Sequence, residues 1–225
     1  MGKYHTAPFS WDSIDKVFLD LDGTLLDKYY DDYFWEHYVP KAYASKHKVK
    51  AEECRELLLA TFKSVENTLQ WTDLDYWSDR LDMDIKALKK EIVHLVNIHP
   101  HVMDFLKHAS DKGKPTYLVT NAHPKTLAVK LGKIKIQESF SQIICSQDVG
   151  MAKEQVEFWE ILQTIQPFDK QSTLFVDDTE KVLDSAHSYG ITNLIHIAKP
   201  SSKLPSTFST KYPSIESFQA LLFNG

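Results

Sequence analysis

The stretch Val17-Phe18-Leu19-Asp20-Leu21-Asp22-Gly23-Thr24 decides what fold to expect from this chain. Three apolar residues lead into two acids that are one residue apart, and a glycine follows. Such an apolar run is typical of a strand buried in a parallel sheet, and α/β folds bind ligands at the carboxyl ends of these strands. Gly23 allows a sharp turn that brings Asp22 back toward Asp20. The stretch therefore predicts two carboxylates facing one crevice.

Two carboxylates this close must share a cation or differ in protonation. Both arrangements suit phosphoryl transfer, in which Asp20 attacks phosphorus and Asp22 exchanges protons with the leaving group and with water. The alternative is that Asp22 and Gly23 only form a turn while Asp20 caps the next segment, which fits an isolated Asp-Gly pair better than the whole string. We therefore predict Asp20 and Asp22 as the catalytic residues.

A second apolar run, Tyr117-Leu118-Val119, ends in Thr120 and Asn121. The Thr120 hydroxyl and the free backbone N–H groups of a loop at this point would form a cradle for a phosphate. Ordinary capping of the helix that begins near Pro124 is the alternative, and this run alone does not decide between the two. Because the run follows the Asp20 string in the chain, we predict Thr120 and Asn121 as phosphate-binding residues.

A third apolar run ends in Asp177 and Asp178, and Lys153 stands at the start of a predicted helix. Adjacent carboxylates suit a hard cation such as Mg²⁺, and a lysine would neutralise both a substrate phosphate and a nucleophilic carboxylate. Asp177 could instead cap the following helix. Most lysines near helix starts are solvated, and Lys125 and Lys130 are rivals of Lys153 for the role.

Short runs rich in Val, Ile, Leu or Phe predict the strands Lys16–Asp20, Thr116–Thr120, Gln142–Cys145, Thr173–Asp177 and Thr192–His196. Helical patterns separate the last four at Pro124–Leu131, Lys153–Ile165 and Lys181–Tyr189. This alternation predicts an α/β fold, a doubly wound (Rossmann-like) parallel sheet with helices on both faces.

The interval between the first two strands breaks this alternation and contains no convincing strand. Apolar residues recur there at three- and four-residue spacings, near Tyr30–Lys46, Glu52–Leu69 and Ile85–Ile98. We therefore predict an all-helical cap domain at residues 28–99, inserted into a catalytic core made of residues 1–27 and 100–225.

Composition limits the possible partners and compartments. The chain has 225 residues, a formal charge of −5 and a pI near 6.0, so we expect neither a nucleic acid nor a membrane as partner. Cys54 and Cys145 form no disulfide framework or zinc spacing. The first residues lack the apolar stretch of a signal peptide, and no run approaches the ~20 apolar residues of a membrane span, so we expect a cytoplasmic protein.

The order of these motifs resembles the haloacid dehalogenase (HAD) superfamily, over residues 1–27 and 100–225. The resemblance implies Asp20 as nucleophile and magnesium ligand, and Asp22 as general acid/base whose backbone carbonyl also reaches the metal. It implies that the insertion is the helical cap of the family's first cap class. One departure is Ala152, which stands where such proteins often carry proline.

The same resemblance implies the remaining site residues. Thr120 and Lys153 would bind the substrate phosphate, with Asn121 beside them. Asp177 and Asp178 would be the metal-side acids, with Asp178 the direct ligand. The implied cofactor is Mg²⁺, held by Asp20, Asp22, Asp177 and Asp178.

A closer likeness covers the predicted cap as well. The strings Tyr33-Phe34-Trp35 and Leu74-Asp75-Tyr76-Trp77-Ser78 resemble those of bacterial GMP/IMP 5′-nucleotidases. This resemblance implies a phosphate monoester substrate of the purine nucleotide class. Asp75, Tyr76 and Trp77 are candidate contacts to the base, although packing within the cap is the commoner role of such aromatic residues.

Other activities fit the same motifs. A phosphatase of phosphoglycolate or of a sugar phosphate, a phosphomutase, and a capped pseudo-phosphatase with only a binding role all remain open. A dehalogenase needs neither a leaving-group acid nor magnesium, so the presence of Asp22 argues against it. A phospho-accepting receiver has its acidic pair after the first strand and its lysine last, and the order in this chain excludes it.

Overall fold

Residues 9–222 are described by a computed structural model, and within them six strands form one sheet. The strands are β1 (Lys16–Leu19), β2 (Thr116–Thr120), β3 (Gln142–Cys145), β4 (Thr173–Asp177), β5 (Asn193–Ile197) and β6 (Ser214–Ile215). All pairs are parallel, and the spatial order is β3-β2-β1-β4-β5-β6. The chain runs outward from β1 to β3, then returns to the other side of β1 at β4. The crevice at this reversal is where doubly wound sheets bind ligands.

Strand register aligns the ends of the three central strands. Leu19 of β1 lies opposite Leu118 of β2 and opposite Val176 of β4. The residue after Leu19 is therefore level with Asp177 and one step short of Thr120. The predicted catalytic, phosphate-binding and metal-side residues meet at one edge because parallel strands end together there.

Helices cover both faces of the sheet, since its residues point alternately to each side. The α-helices between residues 100 and 190 are α7 (Val102–Asp111), α8 (Pro124–Ile134), α9 (Ser146–Val149), α10 (Val156–Ile165) and α11 (Glu180–Tyr189). Phe18 and Phe175 pack with α10 and α11 on one face, and Val17 and Val176 pack with α7 on the other. The predicted α/β doubly wound fold is confirmed.

The interval between β1 and α7, called here the helical segment (residues 28–99), is helical as predicted. Its α-helices are α1 (Tyr29–Tyr33), α2 (Val39–His47), α3 (Ala51–Lys63), α4 (Leu69–Thr72), α5 (Leu74–Leu81) and α6 (Ile85–Glu91). A π-helical turn, Phe34–Tyr38, joins α1 to α2. No helix in residues 9–222 is long and apolar enough to cross a membrane.

The chain leaves and re-enters the sheet unit through two adjacent stretches. Leu26 and Ile98 form an antiparallel bridge, the Asp27 N–H donates to the Asn97 carbonyl at 2.9 Å, and the His99 N–H donates to the Leu25 carbonyl at 2.9 Å. The predicted limits at residues 28 and 99 lie beside this crossing. The division into a core and a cap domain stays a prediction.

Several element boundaries differ from the predicted ones. Helix α3 ends at Lys63 rather than Leu69, because Ser64 and Thr68 bond to nearby backbone carbonyls and Asn67 has a positive φ of 65°. Helix α10 begins at Val156 rather than Lys153, so Lys153 lies in the preceding turn. Helix α7 and the two-residue strand β6 had no distinct sequence signal.

Candidate active site

Lys153 holds two carboxylates together at the sheet edge. Its Nζ lies 2.5 Å from Asp20 Oδ1 and 2.7 Å from Asp177 Oδ2, and its side chain is 2% exposed. Burial lowers the pKa of Lys153, but the two carboxylates more than offset this effect and raise the pKa above its ordinary value. Lys153 is therefore a permanent cation beside the predicted nucleophile.

The turn that carries Lys153 is fixed by its backbone. Its carbonyl accepts hydrogen bonds from Ser185 Oγ at 2.5 Å and from Trp159 Nε1 at 3.2 Å. Its N–H donates to Asn121 Oδ1 at 3.0 Å, and Asn121 Nδ2 donates to Glu154 Oε2 at 2.9 Å. Both ends of the Asn121 amide thus hold the lysine turn, while the residue also lines the cavity.

Thr120 is the last residue of β2 and is buried. Its Oγ1 accepts a hydrogen bond from the Ala122 N–H at 3.0 Å, which fixes the loop before α8. The hydroxyl retains its own proton for donation to an anion in the cavity that it lines. This position fits the predicted phosphate cradle.

Asp20, Asp177 and Asp178 bring carboxylate oxygens within 4.8 Å of one another. Burial raises the pKa of Asp20 to about 6, with Lys153 opposing the shift. Burial and the neighbouring charges of Asp177 and Asp20 raise the pKa of Asp178 well above its ordinary value. Two buried carboxylates and a half-buried third beside the Lys153 ammonium carry excess negative charge, and their hard oxygen donors fit Mg²⁺.

Gly23 makes this cluster possible. Its φ is +89°, which side chains disfavour, and a Cβ atom on it would lie 2.6 Å from Asp178 Cγ and 3.0 Å from Pro200 Cβ. The Gly23 N–H donates to the Leu26 carbonyl at 2.8 Å, closing the turn after Asp22. The glycine therefore serves the turn that the sequence predicted and also the close approach of Asp178.

Asp22 reaches a partner that the sequence did not identify. Its Oδ1 accepts from Lys130 Nζ at 2.6 Å, and burial raises the Asp22 pKa to about 6 with Lys130 opposing. From the sequence alone, Lys130 is only a rival of Lys153. One signal was available, because Lys130 lies among Leu127, Leu131 and Ile134 on the apolar stripe of its helix, where a lysine must find a buried partner.

A cavity of about 590 Å³ opens above the acids and extends to the helical segment. Its far end is lined by the side chains Trp35, Phe62, Lys63, Glu66 and Trp71. It is large enough for a small phosphate ester with an aromatic group.

The three cap candidates lie elsewhere in the helical segment. Trp77 is fully buried, with its ring centroid 4.9 Å from that of Phe62. Asp75 is ion-paired with Lys125, and the Tyr76 hydroxyl accepts from Arg80 at 2.7 Å. Of the tryptophans in the two quoted strings, Trp77 therefore belongs to the core of the segment, whereas Trp35 lines the cavity.

The chain is similar to known proteins over nearly its whole length. A GMP/IMP nucleotidase, YrfG of Escherichia coli (strain K12), is 33% identical over 213 residues, covering 95% of this chain and 96% of that protein. The crystal structure of a HAD phosphatase from Thermococcus onnurineus has a TM-score of 0.72 at 21% identity, covering 93% of this chain and 95% of that one. That of CbbY from Rhodobacter sphaeroides in complex with phosphate has a TM-score of 0.63 at 14% identity, covering 92% and 95%.

The two structural likenesses establish the fold. The description "haloacid dehalogenase-like hydrolase" belongs to a family model that matches residues 17–195, and this range contains every predicted site residue. The chain therefore belongs to the haloacid dehalogenase-like hydrolases.

Proposed function

We propose that this protein is a magnesium-dependent phosphatase that hydrolyses purine nucleoside 5′-monophosphates, with GMP and IMP preferred. The observation that carries the phosphatase part is the buried Lys153 ammonium held between Asp20 and Asp177 beside a third carboxylate, Asp178. The nucleotidase part is supported by the 33% identity to a GMP/IMP nucleotidase over nearly the whole chain.

In the proposed mechanism, Asp20 attacks the substrate phosphorus and forms an aspartyl phosphate. Lys153 neutralises the nucleophile and the phosphate oxygens, and the Thr120 hydroxyl donates to one of those oxygens. Mg²⁺, held by Asp20, Asp177, Asp178 and the Asp22 carbonyl, would supply further positive charge when bound. Asp22 protonates the leaving oxygen and later takes a proton from the water that releases phosphate.

The helical segment acts as the cap domain in this proposal, with limits at residues 28 and 99. The rings of Trp35 and Trp71 offer flat apolar surfaces against which a purine can stack, and buried Phe62 packs against Trp35. Lys63 and Glu66 are exposed polar groups at the same end of the cavity. The cavity thus combines a phosphate end on the sheet with an aromatic and charged end on the cap.

The charged pair suggests why GMP and IMP would be preferred over AMP. Both 6-oxopurines present an acceptor at position 6 and a donor at N1, which complement the Lys63 ammonium and the Glu66 carboxylate. Adenine presents the opposite pattern. Where the bound base shields these groups from water, an unmatched pair costs roughly 1–3 kcal/mol, which corresponds to about a ten- to hundredfold preference.

The test compares kcat/KM for GMP, IMP, AMP, UMP and phosphoglycolate. We expect GMP and IMP to exceed AMP by at least about tenfold, and we expect Glu66→Gln to reduce that ratio. Glu56→Gln, on the exposed face of α3, is the matched control and should leave the ratio unchanged.

Preference for phosphoglycolate or a sugar phosphate by an order of magnitude would reject the nucleotidase proposal and leave the phosphatase proposal standing. Labelled water separates hydrolysis from the phosphomutase alternative, since only hydrolysis puts solvent oxygen into released phosphate. A complete lack of turnover across the panel would favour a pseudo-phosphatase.

A further inference from the structure

A chain of four charged side chains, two buried lysines and two partly exposed aspartates, leads away from Asp22 into the helical segment. Lys130 Nζ lies 2.6 Å from Asp22 Oδ1 and 2.5 Å from Asp31 Oδ2. Lys89 Nζ lies 2.8 Å from Asp31 Oδ1. The side chains of the two lysines are 1% and 2% exposed. Two anions and two cations therefore alternate, and each carboxylate contacts at least one ammonium.

The four residues come from four separate elements. Asp22 lies in the loop after β1, Lys130 in α8, Asp31 in α1 and Lys89 in α6. Lys130 is thus carried by a helix that follows β2 and contacts α6, and it joins the loop of the predicted acid/base to the first helix of the helical segment.

The far end of this chain is held rigidly. Lys89 Nζ lies 4.3 Å from the ring centroid of Phe34 and 4.9 Å from that of Tyr30, where the ring faces attract a cation. The Tyr30 hydroxyl donates to the Lys89 carbonyl at 2.9 Å. Burial raises the pKa of Asp31, but Lys130 and Lys89 more than offset this and hold that pKa well below its ordinary value. Asp31 is therefore a fixed anion that anchors Lys130.

Stability alone does not account for this arrangement. Burying charges is costly, and well-packed apolar residues often replace a buried ion pair with no loss of stability. Apolar residues in place of the ion pairs, however, could not hold a carboxylate in a fixed position beside the cavity. Asp22 is the one member of the four whose carboxylate has a part in the proposed chemistry.

We propose that Lys130 is a positioning residue that fixes the Asp22 carboxylate beside Asp20, and that Asp31, itself anchored by Lys89, fixes Lys130. This inference rests on the proposed function, because it concerns the proton transfers assigned to Asp22. In this proposal the packing of α1, which carries Asp31, and of α6, which carries Lys89, helps to orient the Asp22 carboxylate.

The role of Asp22 depends on the leaving group, which gives a specific test. In the first step an Asp20 oxygen bonds to phosphorus, the phosphorus–oxygen ester bond breaks, and its electron pair goes to the leaving oxygen. A nucleoside alkoxide must take a proton from Asp22, whereas p-nitrophenolate leaves without one. In the second step Asp22 takes a proton from the water that attacks phosphorus, which releases phosphate and restores Asp20.

The experiment compares Lys130→Met with the parent on GMP and on p-nitrophenyl phosphate, by rapid mixing. If GMP is not a substrate, the alkyl phosphate that the substrate panel selects takes its place. We expect kcat for the alkyl ester to fall about ten- to hundredfold with KM within about threefold. With p-nitrophenyl phosphate we expect a burst of about one nitrophenolate per site, at a rate within about threefold of the parent, followed by slow turnover.

Matched variants separate positioning from folding. Lys133→Met removes an exposed lysine from the same helix and should change neither kcat for the alkyl ester nor the burst rate with p-nitrophenyl phosphate. Asp31→Asn keeps the shape of the anchor and should give the same pattern at smaller amplitude. If circular dichroism shows that Lys130→Met does not fold, the test rests on Asp31→Asn alone. The deciding quantity is then its loss of kcat for the alkyl ester relative to its loss of nitrophenolate burst rate.

An equal loss in the rate of the nitrophenolate burst and in kcat for the alkyl ester, or an unchanged kcat for the alkyl ester, would overturn the positioning role. Asp20→Asn tests the proposed function separately, because it should abolish the nitrophenolate burst. A persistent burst in Asp20→Asn would reject the nucleophile assignment, whatever Lys130→Met does.

Discussion

Replacing Gly23 with alanine perturbs the site through a single added methyl group. The backbone there has a φ of +89°, and the new Cβ would lie 2.6 Å from Asp178 Cγ. Gly113 is the matched control, because its φ is +67° and no atom lies within 4 Å of the position its Cβ would take. Both substitutions strain the backbone, and only Gly23→Ala also collides with a predicted metal-side carboxylate.

The two substitutions should therefore differ by the packing cost. A side chain at left-handed φ costs roughly 1–2 kcal/mol, which is all that we expect for Gly113→Ala. Forcing a methyl group into a filled space adds roughly 1–3 kcal/mol. We expect Gly23→Ala to lower the free energy of unfolding by about 2–5 kcal/mol, and to shift Asp178 so that more Mg²⁺ is needed for half-maximal activity.

Urea unfolding with EDTA present gives the stability of each variant, and a Mg²⁺ titration of phosphatase activity gives the metal requirement. An equal loss of stability in Gly23→Ala and Gly113→Ala, together with an unchanged Mg²⁺ requirement, would refute the close packing of Gly23 against Asp178. A destabilised Gly23→Ala protein with normal Mg²⁺ dependence would refute the metal-side role of Asp178 alone.

Two further predictions concern the charges of the site. Burial raises the Asp20 pKa from its ordinary value of 3.8 to about 6, so between these values the folded metal-free protein binds more protons than the unfolded chain and its stability falls as pH rises. Mg²⁺ should therefore raise the melting temperature more at about pH 7.5 than at about pH 5, and an equal shift at both would contradict the carboxylate site. Lys153→Met leaves Asp20 and Asp177 without their shared cation, so we expect a loss of about 3–5 kcal/mol in urea unfolding and no measurable turnover, and retained turnover would exclude Lys153 from the chemistry.

The part of the site that lies at strand ends could be predicted from the sequence. An apolar run followed by a polar residue marks the end of a buried strand, and parallel strands end at one edge. This reasoning predicts that Asp20, Thr120 and Asp177 lie together, as the structure has them. Lys153 was assigned by motif order, although its helix was predicted to begin too early.

The contacts between distant elements could not be predicted in this way. Lys130 meets Asp22 and Asp31 only because α8 and α1 pack at the same place, and no local pattern encodes that packing. The aromatic strings of the helical segment gave a similar difficulty, since a tryptophan in its core and one in the cavity wall have the same local pattern. Trp77, the predicted base contact, lies in the core, while Trp35 from the other quoted string and Trp71 line the cavity.

The crossing at Leu26 and Ile98 also bears on how the chain folds. Val17 pairs with Thr116, about a hundred positions later, so the central strand pair is a contact of high sequence separation. Such contacts slow folding because a long loop must close before any pairing energy is gained. The bridge between Leu26 and Ile98 shortens that loop once the helices between them have formed through local contacts. The helical segment, which separates β1 from β2 in the sequence, thus also brings these two strands close together.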